Sequence, residues 1–383
     1  MSQQEKLKQQ KKGKRQKKIN QKLLQLKSQI NKNKTKKNKK KKSSLKKASQ
    51  NKTEPKKVSK RSIKEMRVIK ISKMSGMKNF SYDGSDNLII YGNGCNKSPG
   101  CIARLLMQRL YIALTVQRYD RDKYITVNND SILQGYIKDY MINETFDTFS
   151  GPFDFGSIMF PDRRYGSFLF RDTFTSINIT QYGFMAGQMY NISFTDMRML
   201  DYFYCNLTSP PLVTCQNNGY PNPKNNYRCK CPNGYTGRYC EELESSSKGC
   251  PEQQIIVTKF NTTLEFNQTR RCNVNLTAPE GKRIHIYLNR TNAGVGTPCF
   301  ERRGLEIKLL EDKSITGLCL CGFGSNMHLT SEGDSVFIQY NGIAVANKAV
   351  LYHCIEGECD NSLIKHPNGS EEEYNDEEED WYY

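Results

Sequence analysis

Histidine is scarce in this 383-residue chain: there are four, at 285, 328, 353 and 366. The first 284 residues therefore contain no imidazole to act as general base or to ligate a metal. Cysteine is missing from the first 94 residues, whereas all 14 lie beyond and ten of them fall between 215 and 354. That density implies disulfides and an oxidising compartment. No uninterrupted run of about 18 apolar residues occurs, which excludes a membrane-spanning helix. A secretory leader is also missing from the start, because "INQKLLQLKSQI" (19–30) is broken by Lys22 and Lys27 and has no apolar centre. The cysteines and the leader disagree, and an incomplete or wrongly joined N-terminus is the expected reason.

Acidic residues are almost absent from residues 1–73, which hold 29 Lys/Arg against 3 Asp/Glu, a local charge of +26. The remaining 310 residues hold 29 basic and 36 acidic groups, net −7. The overall charge of +19 thus describes the N-terminal arm and not the body. Residues 1–75 read as a disordered Lys-rich arm, too poor in apolar side chains to offset chain entropy. Its functional reading is contact with a polyanion; its bland reading is a solvated tail. Residues 360–383 read as an acidic, disordered tail.

Between these ends lie a first block (79–205), a Pro-containing linker (206–212), a Cys-rich module (213–241) and a block of short alternating runs (250–354). The runs "QIIVTKF", "RIHIYLN", "GLEIKLL", "SVFIQYN" and "AVLYH" alternate with period two between Gly, Asn and Pro breaks, which predicts an antiparallel β-sandwich. Sequons at Asn129, Asn143, Asn178, Asn191, Asn206, Asn261, Asn267, Asn275 and Asn289 add candidate glycosylation sites and favour a secreted, extracellular body.

"CQNNGYPNPKNNYRCKCPNGYTGRYC" (215–240) ends in C-x-C-x8-C with Gly237 before the last cysteine. This resembles an EGF-like domain, a likeness that implies Cys231–Cys240 and Cys215–Cys229. A third bridge expected of that family is missing, with Asn226 standing at one of its positions. No acidic cluster precedes Cys215, so no calcium is expected there. Residues 250–354 resemble a CUB domain, which implies Cys250–Cys272 and Cys299–Cys321. Cys319, Cys354 and Cys359 stay ambiguous, with Cys319–Cys354 one plausible pair. In "CFERRGLEI", Arg303 stands where many CUB domains place a calcium-ligating aspartate, and a guanidinium cannot ligate a hard cation.

The first block carries four further stretches: "NLIIYGNGC" (87–95), "RYDRDKYITVNNDSILQG" (118–135), "FDFGSIMF" (153–160) and "ISFTDMRMLDYFYC" (192–205). With the EGF-like and CUB-like modules following, they resemble a nematode-type astacin, a zinc metalloendopeptidase with a metzincin fold. The resemblance implies an α+β architecture: a truncated astacin domain, a small EGF-like β module, an all-β CUB sandwich and disordered termini. It makes Met159 the methionine of the Met-turn. The sheet forming the upper wall of the family's cleft is mostly absent, with the basic arm in its place. Cys95–Cys101 is one pairing open to the cysteines left over, with Cys205 unpaired.

Astacins carry H-E-x-x-H-x-x-G-x-x-H, two histidines on one helix face and a third brought round by a glycine turn. Counting back from Arg118, the ligand positions are Arg104, Gln108 and Leu114, the general-base position is Leu105 and the turn glycine is Tyr111. The family's glutamate after the third histidine is Thr115, and its tyrosine beyond the Met-turn is Pro161. A guanidinium repels Zn²⁺, an amide is a poor ligand and leucine is none, so no catalytic residue, metal ligand or cofactor is expected. With the turn glycine replaced, the helix is expected to run on to about Gln117. Ile102, Leu106, Leu110 and Ala113 form its expected buried stripe, and Arg118, Asp120, Arg121 and Asp122 an expected solvated ion-pair cluster.

The leading reading is an inactive astacin homologue whose EGF-like and CUB modules bind an extracellular protein or glycan. The alternatives are an active zinc metalloendopeptidase, a truncated or misjoined gene product, and a nucleic-acid-binding protein driven by the lysine arm.

Overall fold

Alternation of apolar and polar residues accounts for five strands of the sandwich. The computed structural model describes residues 70–73, 88–91, 95, 98–110, 112–144, 151–204, 213–259 and 261–359. The chain divides into two units, Met1–Val68 and Ile69–Tyr383, and every described residue belongs to the second. The expected arm up to residue 69, the linker, Tyr111, Cys205, Asn206 and the acidic tail lie outside the described residues.

The expected disordered arm does not extend to residue 75. Lys70–Lys73 forms strand β1, paired in parallel with β2, Leu88–Tyr91, with Ile71 opposite Ile89. The isoleucines of "VIKISK" alternate with lysine, and averaging charge over the whole arm conceals that pattern. The block continues with helix α1 (Pro99–Arg109), a ribbon of β3 (Ile125–Val127) against β4 (Phe174–Ser176), and helix α2 (Phe194–Tyr204). Short 3₁₀ turns fill most of the rest. Its centre is aromatic: Phe160 stacks on Phe174 at 4.9 Å and meets Phe153 edge-on at 5.6 Å.

The small module pairs β5 (Tyr220–Asn222) with β6 (Asn225–Lys230) and β7 (Tyr235–Thr236) with β8 (Glu242–Leu243). Disulfides join Cys215 to Cys229 and Cys231 to Cys240.

The sandwich follows with β9 (Gln254–Ile256), β10 (Thr262–Asn267), β11 (Arg271–Thr277), β12 (Ile284–Thr291), β13 (Gly304–Lys308), β14 (Leu318–Leu320), β15 (Gly324–Thr330), β16 (Ser335–Asn341) and β17 (Lys348–Ile355). One sheet has the order β10-β17-β12-β15 and the other β14-β13-β16-β11-β9. All of these pairs are antiparallel except β9 with β11. Leu264, Phe266, Val274, Leu276, Ile286, Leu288, Ile338 and Leu351 pack the interior, each contributing about 1.5–3 kcal/mol on burial. Disulfides join Cys250 to Cys272 and Cys299 to Cys321. The pair Cys319–Cys354, one of those left open, is not formed: Cys354 bonds Cys359, and Cys319 is a free, buried thiol. Cys319 sits on β14 in the five-stranded sheet and Cys354 on β17 in the other, whereas the turn after β17 brings Cys359 to within a Cα–Cα distance of 5.4 Å.

The outer face of the five-stranded sheet is covered. Glu306, Lys308, Phe337, Gln339 and Asn273 alternate with inward residues, and all are buried. Tyr235 of the small module packs on Phe337 at 5.2 Å. Gly234 beside it has φ +91°, and a Cβ there would lie 2.0 Å from the Phe337 ring. The first block joins this surface through Gly156, where a Cβ would lie 2.4 Å from the Thr316 side chain, and through Tyr190 stacked on Phe300 at 4.4 Å. Asp201 of α2 accepts from Tyr220 and Lys230 of the small module, both at 2.6 Å. First block, module and sandwich therefore pack as one body.

Candidate functional site

Helix α1 carries the positions at which a zinc peptidase of this likeness would hold its metal. Pro99 occupies its first turn, where the missing N–H costs nothing. The Cys95–Cys101 bridge and the hydroxyl of Ser98, which donates to the Met189 carbonyl, tether that end. A Cβ on Gly100 would lie 2.2 Å from the Met189 backbone, so only glycine permits the approach.

The helix presents a different face from the expected one. Ile102, Leu106, Leu110 and Ala113 are only half-buried, whereas Cys101, Arg104, Leu105 and Met107 are buried. Arg104 is 4% exposed. Its guanidinium donates to the carbonyls of Ile158, Phe160 (2.8 Å) and Gln188 (3.3 Å), on either side of Met159 and beyond. Burial lowers its pKa to about 10, so the group stays cationic at neutral pH. A hydropathy pattern places arginine outside; carbonyls converging from three directions place it inside.

Nor does the helix run to Gln117. It ends at Arg109, Leu110 caps it, and Ile112 donates to the Met107 carbonyl. The next residues turn inward: Leu114 and Thr115 are buried, and the Thr115 N–H bonds the Met159 carbonyl at 3.0 Å. Gln108 is half-buried and Pro161 buried. Positions 104, 105, 108 and 114 thus supply a guanidinium, a methyl-tipped chain, an amide and another methyl-tipped chain. This donor set does not fit Zn²⁺.

The "RYDRD" stretch is not a solvated cluster. Arg118 is 4% exposed, forks onto Asp120 with two 2.8 Å bonds and also donates to the carbonyls of Gly151 (2.8 Å) and Pro152 (3.2 Å). Arg121 donates to the Val116 and Tyr140 carbonyls. Of its four charged residues only Asp122 is well exposed. The arginines are internal staples, since each spends its extra donors on backbone acceptors.

Between α1, α2 and the Met159 segment lies a cleft lined by Ile112, Thr115, Arg118, Ser157, Asp196 and Tyr202, with a volume of about 30 Å³. That is room for about two waters. Asp196 has its pKa raised to about 6, chiefly by burial. It accepts from Ser157 Oγ (2.6 Å), Ile158 N (2.8 Å) and Ser193 N (3.2 Å), and its own N–H bonds Ser193 Oγ. This is a reciprocal cap on α2, with the carboxylate already committed to three donors. The S-x-x-D pattern of "SFTD" before the apolar helix signals it in the sequence. Asp154 is likewise held, by Gly156 N and Thr195 Oγ1.

Among the sequons, Asn129, Asn178 and Asn191 are exposed, while Asn143, Asn261, Asn267, Asn275 and Asn289 are half-buried. Arg303 lies over the rings of Phe300 (5.3 Å) and Tyr190 (5.9 Å).

The family model described as Astacin, a peptidase family, matches residues 15–205, beginning well inside the Lys-rich arm. The zinc metalloproteinase nas-34 of Caenorhabditis elegans is 27% identical over 263 residues, covering 68% of this chain and 43% of the relative. Nas-37 of the same organism is 30% identical over 267 residues, covering 68% and 34%. Nas-31 is 29% identical over 321 residues, covering 76% and 49%. The chain thus spans half or less of the length of these relatives. Among solved structures, the medaka hatching enzyme HCE-1, a zinc protease, aligns at TM-score 0.28 and 23% identity over 35% of this chain and 68% of that one. The CUB1-EGF-CUB2 region of human MASP-1/3 aligns at TM-score 0.24 and 13% identity, covering 37% and 54%.

Proposed function

Since this chain belongs to the astacin family of peptidases, we propose that it is a non-catalytic member acting as a secreted recognition or scaffolding body. The observation that carries this is Arg104. A buried cation bonded to three backbone carbonyls stands where the family motif needs an imidazole. It repels a second cation and fills the corner itself. The general-base position, Leu105, holds no titratable group. Without a ligand set or a base, a cleft with room for about two waters can hold solvent but not activate it.

In this reading the EGF-like module and the CUB-like sandwich, free of calcium at Arg303, supply the contact surface for an extracellular protein or glycan. The lysine-rich arm adds an electrostatic contact with polyanions, weakened by salt. The sequons and six disulfides favour a secreted location.

A second reading, an active zinc endopeptidase, is favoured by the names of the relatives, which are zinc metalloproteinases. Metal analysis of the full chain with its disulfides intact separates the two. The expected result is less than about a tenth of an equivalent of zinc and no chelator-sensitive cleavage of a protein substrate. One equivalent of zinc together with hydrolysis stopped by a chelator overturns the non-catalytic reading.

A further inference from the structure

The chemistry missing from the first block reappears on the outer face of the four-stranded sheet. His285 on β12 stands directly opposite Cys354 on β17. Its Nδ1 lies 3.8 Å from Cys354 Sγ and 3.6 Å from Cys359 Sγ. The three ligand atoms all fall within 4.8 Å of one another. On the far side of the ring, His285 Nε2 is 3.2 Å from Nδ1 of His328, one strand over on β15. If His285 Nε2 carries the proton and donates to His328, the lone pair on His285 Nδ1 faces the two sulfurs. That arrangement, one nitrogen oriented by a hydrogen bond so that the other can ligate, is the usual support of a metal-bound imidazole.

We infer that His285, Cys354 and Cys359 form a redox-gated site for a thiophilic metal ion, represented by Zn²⁺, closed as a disulfide and open as two thiolates and an imidazole. Opening needs a dithiol reductant. Two electrons and two protons from the dithiol convert the Cys354–Cys359 bond to two thiols, and the reductant leaves as its own disulfide. Binding then releases both thiol protons to solvent as Zn²⁺ takes two sulfurs and Nδ1, with water completing the tetrahedron.

The ligands do not depend on the bridge for their placement. The turn Ile355–Cys359 is closed by Glu358 N donating to the Ile355 carbonyl, with Gly357 at φ +76°. Glu356 forks onto Arg283 at 2.6 and 2.8 Å, and its N–H donates to the Arg283 carbonyl. Glu358 pairs with Lys282 at 2.9 Å. Both ion pairs staple the turn to the start of β12, close to His285. Cys354 is anchored in β17 and buried, while His285 and Cys359 are half-exposed, so an ion reaches the site from solvent. The bridge also encloses only five residues of separation, the shortest of the six, so opening it frees the least chain entropy.

The test uses the full chain, first with bridges intact and then after mild anaerobic treatment with a small dithiol that is subsequently removed. Alkylation mapping is expected to show Cys354 and Cys359 opening ahead of the other pairs. The reduced protein is expected to bind one more Zn²⁺ than the Cys354→Ser/Cys359→Ser double variant treated identically. With Co²⁺ as probe it should show sulfur-to-metal charge-transfer absorption. His285→Ala keeps the bridge and every thiol, and is expected to lose about tenfold or more in affinity. His328→Ala should lose about tenfold, the usual cost of removing an orienting partner. Equal Zn²⁺ uptake by the wild type and the double variant, unchanged affinity in His285→Ala, or opening of other bridges first each overturns the inference. Zinc bound to the unreduced chain bears on the first block instead, so the two readings fail separately.

Discussion

Two buried cations, one in the first block and one in the sandwich, are held by opposite means. Arg104 has only neutral carbonyls in its hydrogen-bonding shell. Lys308 lies 3.5 Å from Glu306 and 4.0 Å from Glu301, and also donates to the carbonyls of Lys313 (3.1 Å) and Ile315 (2.8 Å). A guanidinium spreads its charge over a planar fork with five donors, so dipoles suffice. An ammonium concentrates its charge and is costlier to take out of water without an anion beside it: Lys313, which donates to the Leu310 and Ser335 carbonyls, has its pKa lowered to about 8 by burial. Glu306 has its own supports, accepting from Asn233 (2.6 Å) and Gly317 N (3.0 Å), whereas burial pushes the Glu301 carboxyl upward and weakens it as an anion. Arg104 therefore fills a corner that can do little else, whereas Lys308 balances Glu306, whose carboxylate also accepts from Asn233 of the module that covers the sheet.

The sharpest way to break this contrast is Glu306→Leu. It strands Lys308 without its nearest anion and should cost about 3–5 kcal/mol in denaturant unfolding. Glu306→Gln keeps much of the hydrogen bonding and should cost less; equal costs would show that the charge is irrelevant.

Arg104→Lys tests the other side. One ammonium cannot span three carbonyls, so a loss of about 2–3 kcal/mol is expected by the same measurement. A neutral result would mean that the carbonyls are satisfied by water and that the corner is roomier than it looks.

A third test compares these held cations with a base that is kept neutral. His353 is 2% exposed, neither ring nitrogen has a partner, and burial lowers its pKa from 6.5 to about 4. Above pH 6.5 the folded and unfolded forms are both neutral and the stability is full. As pH falls from 6.5 to about 4 the unfolded chain gains a proton the folded one refuses, removing up to about 3 kcal/mol. Asp196 acts in the opposite sense, its raised pKa favouring the folded form as pH falls below about 6. The difference between wild type and His353→Leu isolates the histidine: the variant should lose the acid-side fall, and retention of that fall would assign it elsewhere.

The smallest effect belongs to the Cys354–Cys359 bridge. Its double serine variant should cost about 2 kcal/mol, against about 3 for either bridge of 22-residue separation. A loss as large as theirs would mean that the turn is held by the sulfurs and not by its two ion pairs.

Much of the architecture was legible from local pattern. The five alternating runs named from the sequence correspond to β9, β12, β13, β16 and β17, and "ISFTDMRMLDYFYC" contains α2. Strands β10, β11, β14 and β15 were missed because polar residues, or a run as short as "LCL", blur their alternation. The end and the buried face of α1 differ from the sequence-based expectation. An apolar stripe alone sets the wrong buried face, and a missing turn glycine alone predicts too long a helix, because neither shows the backbone acceptors into which Arg104, Arg118 and Arg121 all point. The His285–Cys354–Cys359 group was invisible for another reason: His285 and Cys354 sit on two strands 69 residues apart, and only strand register makes them neighbours.

The sequence alone determined which atoms the first block has to work with. No imidazole precedes residue 285, and no fold can supply a donor the chain does not contain. It also set the strand alternation, since apolar spacing is a property of consecutive residues. The tertiary structure alone decided which polar groups lie inside. Whether Arg104 or Lys308 can be buried depends on carbonyls and carboxylates arriving from distant segments, because desolvation is offset only by partners already in place.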